Sequence, residues 1–200
     1  MAIVGVLSVG VLAGVVIGVA LSLTWLVYVS TRPPMPLLGR EAGTDVFRDL
    51  ESHPGDETLP GIAILRFDGA LFFATAEALE ERVRALDEGA RPDRALVLDL
   101  GGVNFVDSQG SAKLSEIHEL TNADGVELRL AGVKPQVRAV LDADGVVERI
   151  GADHIHGSVD TALTATAAAG CMPHPGTPAR QVVALDSVRD SPVSPIDGGA

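Results

Sequence analysis

The chain has 200 residues, with 15 Lys+Arg against 27 Asp+Glu and a formal net charge of −12. That length holds one ordinary domain with appendages, and that charge repels a polyanion such as DNA from the average surface, so no nucleic acid is expected as a partner. The single cysteine, Cys171, can neither close an intramolecular disulfide nor build a Cys-based zinc site.

Mean hydropathy is +0.29 although 21% of residues are charged, so apolar residues and charges must be segregated along the chain. From Met1 to Thr31 there is no Asp, Glu, Lys, Arg or His, and Arg32 is the first charge. The stretch Ile3–Val29, as a helix rising ~1.5 Å per residue, spans ~40 Å and exceeds the ~30 Å hydrocarbon core of a bilayer. A transmembrane helix within residues 1–30 follows, because backbone groups in lipid have only one another to bond. Trp25 and Tyr28 near its end suit an interfacial aromatic belt. Gly10, Gly14 and Gly18, four apart, form a ridge that lets a second helix approach closely, so the helix is expected to pack in a bundle. A secretory signal peptide is the weaker reading, since the basic n-region and a clear A-x-A site are missing and the apolar run is too long. Arg32 and Arg40 follow the helix, which places the C-terminal side in the cytosol of an inner or plasma membrane crossed once by this chain.

Residues 31–60 carry Pro33, Pro34, Pro36, Pro54 and Pro60 and read as a semi-ordered linker. Ile62, Ile64 and Phe67 before Asp68-Gly69, with Leu71-Phe72-Phe73 after it, predict a hairpin over about 61–74. From Thr75, Leu79, Val83 and Leu86 recur at helical spacing until Gly89 and Pro92. Arg94–Leu100 reads as a central strand buried on both faces. A helix over Ser108–Ala123 closing at Asp124-Gly125, a strand over Val126–Leu130, and a helix carrying Val137, Val140 and Leu141 that stops at Asp144-Gly145 come next. A last helix starts near Ser158, after a short strand near 154–156. This alternation predicts an α/β fold with a mixed, mainly parallel sheet flanked by helices. Residues 169–200, rich in proline, read as a disordered tail.

The ordered region, 61–168, resembles a STAS domain (sulphate transporter and anti-sigma factor antagonist). Leu38-Gly39-Arg40-Glu41-Ala42-Gly43-Thr44 through Phe47-Arg48-Asp49 is similar to the segment joining the last membrane helix of SulP anion transporters to that domain. Phe67-Asp68-Gly69-Ala70-Leu71-Phe72-Phe73-Ala74 is also similar to the SulP version. The resemblance implies the C-terminal part of a sulphate-class anion transporter: a cytoplasmic regulatory and assembly module on the terminal helix, partnered by the bilayer, by the remaining membrane part and by other copies in a homo-oligomer. One helix cannot enclose a polar path through lipid, so the chain alone is not expected to transport.

Val103-Asn104-Phe105-Val106-Asp107-Ser108-Gln109-Gly110 joins the central strand to the next helix. Asp107 or Ser108 can cap that helix, and its N-terminus can also favour an anion. Two readings stand: Asp107, Ser108, Gln109 and Gly110 form a cap and turn only, or they are a loop for a nucleotide or regulatory protein. In anti-sigma factor antagonists the third residue of the matching loop is a phosphorylated Ser or Thr, whereas this sequence has Gln109, so the resemblance implies no such switch here. The alternative function is a membrane-anchored signalling protein of that antagonist type, binding a kinase or regulator; a product of gene truncation is a third reading. Asp99 and Asp107 read as a strand-end and a cap residue, His118 as a helix-boundary residue, and His154 with His156 lacks a third metal ligand nearby. The P-loop, G-x-S-x-G and H-E-x-x-H motifs do not occur, so no enzyme, cofactor or metal is expected.

Overall fold

A computed structural model describes residues 11–87 and 94–169 of the chain. The first ten residues with Gly10, the helix stop at Gly89 and Pro92, and the tail from Gly170 lie outside the described residues. Helix α1 (Val11–Ser30) is long and apolar enough over Leu12–Val29 to cross a membrane. Leu12, Leu21, Trp25 and Leu26 along it are exposed, which is apolar surface that a bilayer accommodates and water does not. Near its end the Trp25 and Tyr28 rings stack at 5.9 Å, and the Arg32 guanidinium lies 4.7 Å from the Tyr28 ring centre.

Residues 31–60 are more built than a connector. β1 (Leu38–Arg40) and β2 (Phe47–Asp49) form an antiparallel ribbon, and Leu38 and Leu50 are buried. Just before it, Leu37 bridges Leu65 antiparallel, while Arg66 N–H donates to the Pro36 carbonyl at 3.0 Å and Asp68 N–H to that of Pro34 at 3.2 Å. Proline accepts but cannot donate. Each therefore leaves its return bond unmade, which suits the edge of a sheet and not its centre.

The main sheet has the order β3 (Ile62–Arg66), β4 (Ala95–Asp99), β5 (Glu127–Ala131), β6 (Ile155–His156), all parallel. Between these strands run α2 (Phe73–Asp87), α3 (Ser108–Ala123), then α4 (Pro135–Ala143) and the short α5 (Val146–Ile150), while α6 (Val159–Ala168) follows β6. The expected 61–74 hairpin does not form. One edge of β3 is taken by residues 34–37 and the other by β4, so a returning strand has nothing to pair with. The Asp68-Gly69 turn instead carries the chain across the end of the sheet, with Phe67 N–H on the Asp99 carbonyl at 3.0 Å and Leu71 bridged parallel to Val106. Helix α2 consequently starts at Phe73. The short α5 escapes the periodicity because Gly145, at φ 73°, breaks one helix and starts the next within a single residue.

Three right-handed crossovers that step the same way leave their helices on one face of a sheet. Accordingly α2 to α5 pack on the face of Ala63, Leu65, Leu96, Leu98, Leu128 and Leu130. The other face, with Ile62, Ile64, Ala95, Val97 and Ala131, is covered by Val159 and Ala162 of α6 and by Leu38 of the ribbon. β4, buried along its whole length, is the two-sided strand that the run Arg94–Leu100 predicts. Across the helical layer, Lys113 of α3 reaches Glu80 of α2 at 2.7 Å, and Arg84 joins the same carboxylate. The Lys113 bond, with the Arg84 bond behind it, holds the Glu80 carboxyl below its usual range.

The α6 layer is thin because it is made of small residues, and Ala162 is fully buried. Ala162→Leu is expected to destabilise the domain by ~1–3 kcal/mol through overpacking, whereas Thr164→Leu on the exposed side of the helix stays within ~0.5 kcal/mol. The single Trp and single Tyr, Trp25 and Tyr28, both lie on α1. Urea unfolding followed by far-UV circular dichroism on detergent-solubilised chain is therefore the suitable readout.

Candidate functional site

The C-terminal end of the parallel sheet gathers the loops that the sequence singles out, as is usual for open α/β sheets. Its centre is Asp99, the last residue of β4, 4% exposed. Its carboxylate accepts from Arg66 Nε at 2.9 Å and from Gly101 N–H at 2.9 Å. Gly132, at φ 67°, lies so close that a Cβ there would stand 2.9 Å from the same carboxylate. Asp99 is thus consumed by folding.

From Asp99 the chain passes over the sheet and turns into α3. Leu71 N–H bonds the Phe105 carbonyl at 2.9 Å, and Asp107 N–H bonds the Leu71 carbonyl at 3.2 Å. Asp107, with extended backbone at φ −101° and ψ 172°, turns its carboxylate onto Gly110 N–H at 2.7 Å, as an N-cap does. Gly110 is required by contact, since a Cβ there would lie 2.4 Å from the Leu71 carbonyl oxygen. Ser108 and Gln109 are exposed at the tip, and Asn104 beside them accepts from Lys134 Nζ at 2.6 Å. Asp107 and Gly110 are therefore occupied with starting and seating α3, and only Ser108 and Gln109 present free side chains. Asp99 and Asp107 each serve their own backbone turn, and neither is arranged as one half of an acid–base pair.

His154 and His156 lie elsewhere, at the β6 edge of the sheet. Arg129, 5% exposed, points from β5 to the α6 side, where it meets the Glu127 carboxylate, His156 Nε2 at 3.0 Å and the Asp153 carbonyl at 3.5 Å. His154 Nε2 lies 3.2 Å from the same Glu127. This buried charge cluster escapes sequence reading because Glu127-Leu128-Arg129 looks like an ordinary alternating strand. Burial first, then the neighbouring Arg129 guanidinium and His154, pushes the His156 imidazole below its ordinary value. Burial likewise lowers His118, helped by His154 and opposed by Glu119. Among the described residues no group of three His, Cys, Asp or Glu side chains is placed to hold a metal ion.

Two predictions follow from these geometries. Asp107→Ala should cost ~0.5–2 kcal/mol of domain stability by loss of the cap, and Gly110→Ala ~1–3 kcal/mol by forcing α3 off Leu71, both read from the urea midpoint. An imidazole held low stays neutral in the folded chain while the unfolded chain protonates near pH ~6.5. Stability is then full above about pH 6.5 and falls as the pH drops from there through the folded values of His118 and His156. His156→Gln, which keeps an acceptor for Arg129, should flatten that fall when midpoints are compared at about pH 7.5 and about pH 5.5.

Residues 53–162 match the STAS domain family. High affinity sulfate transporter 2 of Stylosanthes hamata is 31% identical over 168 residues, covering 80% of this chain and 25% of that protein. Sulfate transporter 2.1 of Arabidopsis thaliana is 34% identical over 159 residues, covering 74% and 24%. Among solved structures, the murine Solute Carrier 26 family member A9 anion transporter in the inward-facing state superposes with a TM-score of 0.66 at 25% identity, covering 77% of this chain and 25% of that one. The STAS domain of a SulP transporter from Vibrio cholerae superposes with a TM-score of 0.50 at 27% identity, covering 59% and 91%. The chain spans about a quarter of the length of the curated relatives it matches, and these relatives are transporters rather than enzymes. With a STAS match over more than half its length, the chain belongs to the STAS domain family, and it is homologous to the STAS-containing part of sulfate and anion transporters.

Proposed function

We propose that this chain is the cytoplasmic regulatory and assembly module of a SulP-type inorganic anion transporter, sulfate being the anion named for its relatives, together with the transporter's terminal membrane helix. The observation that carries this reading is the shortness of the junction. Helix α1 ends at Ser30, and by Pro34 the backbone is already bonded to the edge of β3. Three residues lie between them, too few for a flexible leash, which needs many residues to decouple its ends. A shift or rotation of α1 is therefore delivered to β3, and through the parallel ladder to β4 and its loops. Coupling of this kind works by differential contact: the membrane part and the module bias each other's conformations to the extent that they touch differently in each state.

Within this reading α1 crosses the bilayer once, with the domain on the cytosolic side. Gly14 and Gly18 keep one side of the helix low for a neighbouring helix of the membrane part, and a Cβ at Gly18 would meet nothing within 4 Å. Exposed Ser108 and Gln109, at the start of α3, form the surface through which a nucleotide or regulatory protein would reach the module. The anion path itself needs further helices, since a single apolar span encloses no polar route.

A complete homologous transporter tests the coupling. Five Gly/Ser residues inserted at the junction between the terminal helix and the sheet-edge segment should lower anion uptake several-fold at equal surface abundance. Uptake equal to that of the unmodified transporter would mean that the junction transmits nothing.

A further inference from the structure

Outside α1, the large apolar side chains exposed among the described residues are Val46, Phe73 and Phe105. Two of these three occupy one place. Phe105 shares a hydrogen bond with Leu71, and Phe73 follows Leu71 by two residues at the start of α2. The pair is 63% and 58% exposed for Phe73 and Phe105 respectively, while Leu71 between them is fully buried. This end of the sheet is also where the chain arrives from α1. Pro33 lies against Gly69, where an added Cβ would come within 3.0 Å of the proline ring, and Gly69 is two residues from Leu71. Three extended residues reach at most ~11 Å, no more than about two headgroup layers of ~5–8 Å each, so the sheet end stays close to the interface.

We propose that Phe73 and Phe105 insert into the interfacial layer of the bilayer and pin the domain against the membrane beside its tether. The proposal rests on the reading of α1 as a membrane helix. Two observations favour lipid over a protein partner. Two phenylalanines offer at most ~500 Å², below the ~800 Å² per partner that a specific protein interface buries, whereas partition of an aromatic ring into lipid needs no complementary surface. A patch this small would not hold a free domain to a membrane, but the tether makes its contact intramolecular and supplies a high effective concentration. Charge does not oppose it. In a chain of net charge −12, this end sets Arg32, Arg66 and Lys134 against Asp68, Asp99 and Asp107, and the next acidic residue, Glu77, lies one turn further along α2.

The test uses the full chain reconstituted into phosphatidylcholine vesicles that carry bromine near the headgroup end of the acyl chains. Phe73→Trp and Phe105→Trp are each made in a Trp25→Phe background, and the unmodified chain reports Trp25 itself. Both substituted chains are expected to lose emission to the brominated lipid to an extent comparable with Trp25. Quenching of Trp25 without quenching of either substituted chain overturns the pinning and leaves the tether intact. Blue-shifted emission that brominated lipid does not quench would show the rings covered by a second copy, and also overturns it. No quenching of Trp25 would remove the membrane helix and the pinning together.

Discussion

β3 is claimed on both edges, and most of the molecule follows from that. On one side it pairs with β4 in a parallel ladder from Ile62↔Ala95 to Arg66↔Asp99. On the other it donates to the carbonyls of Pro36 and Pro34, residues that stand within a few positions of the apolar helix. With no edge left, the segment after Asp68-Gly69 cannot return as a strand and must cross the end of the sheet to become α2. That crossing brings Leu71 under the start of α3 and fixes Gly110, which tolerates no side chain against the Leu71 carbonyl.

The order β3-β4-β5-β6 imposes the second consequence. Same-direction crossovers bury one face under α2 to α5 and leave the other bare, and strands as apolar as Ala95–Asp99 cannot leave a face in water. The helix after β6 therefore has to fold back. It does so with a Ser158–Thr161 capping box at its start and small residues at its contact. Arg129 is the exception on that face. It is retained at a cost: Nη1 and Nη2 find Glu127, His156 and a backbone carbonyl, while the buried Nε has no hydrogen-bond partner, and a buried guanidinium without any partner would be strongly destabilising.

The sequence was most legible where one residue type has one structural use. Asp107 and the Asp124-Gly125 pair bound α3 at Ser108–Ala123, as predicted, and the uninterrupted run around Val97 could only be a two-sided strand. It was least legible where the same signal has two outcomes. Asp-Gly serves a hairpin or a turn across a sheet, and what decides is the occupancy of an edge 30 residues earlier in the chain, which no local pattern carries. Proline usually argues against strands, so Pro34 and Pro36 concealed the edge segment that accepts through carbonyls alone. At the site, the sequence identified the loop but not the division of labour within it: Asp107 and Gly110 build the turn, and Ser108 and Gln109 are left to face outward. The exposure of Phe73 was hidden inside an apolar run that reads as a strand, and that of Phe105 inside a loop read for its cap residues.

A STAS domain bonded within three residues of a long apolar helix is positioned to read or bias that helix, and this is the physical content of the function proposed above. Everything turns on whether the bonds at the sheet edge persist in the bilayer. Hydrogen exchange at the Arg66 and Asp68 amides, measured on the chain reconstituted in lipid, reports those bonds directly. Rigid coupling predicts protection at both amides comparable with that of the β4 amides of Ala95–Asp99. Exchange at both as fast as in an open loop would mean that the edge is loose and that the helix and the domain move independently.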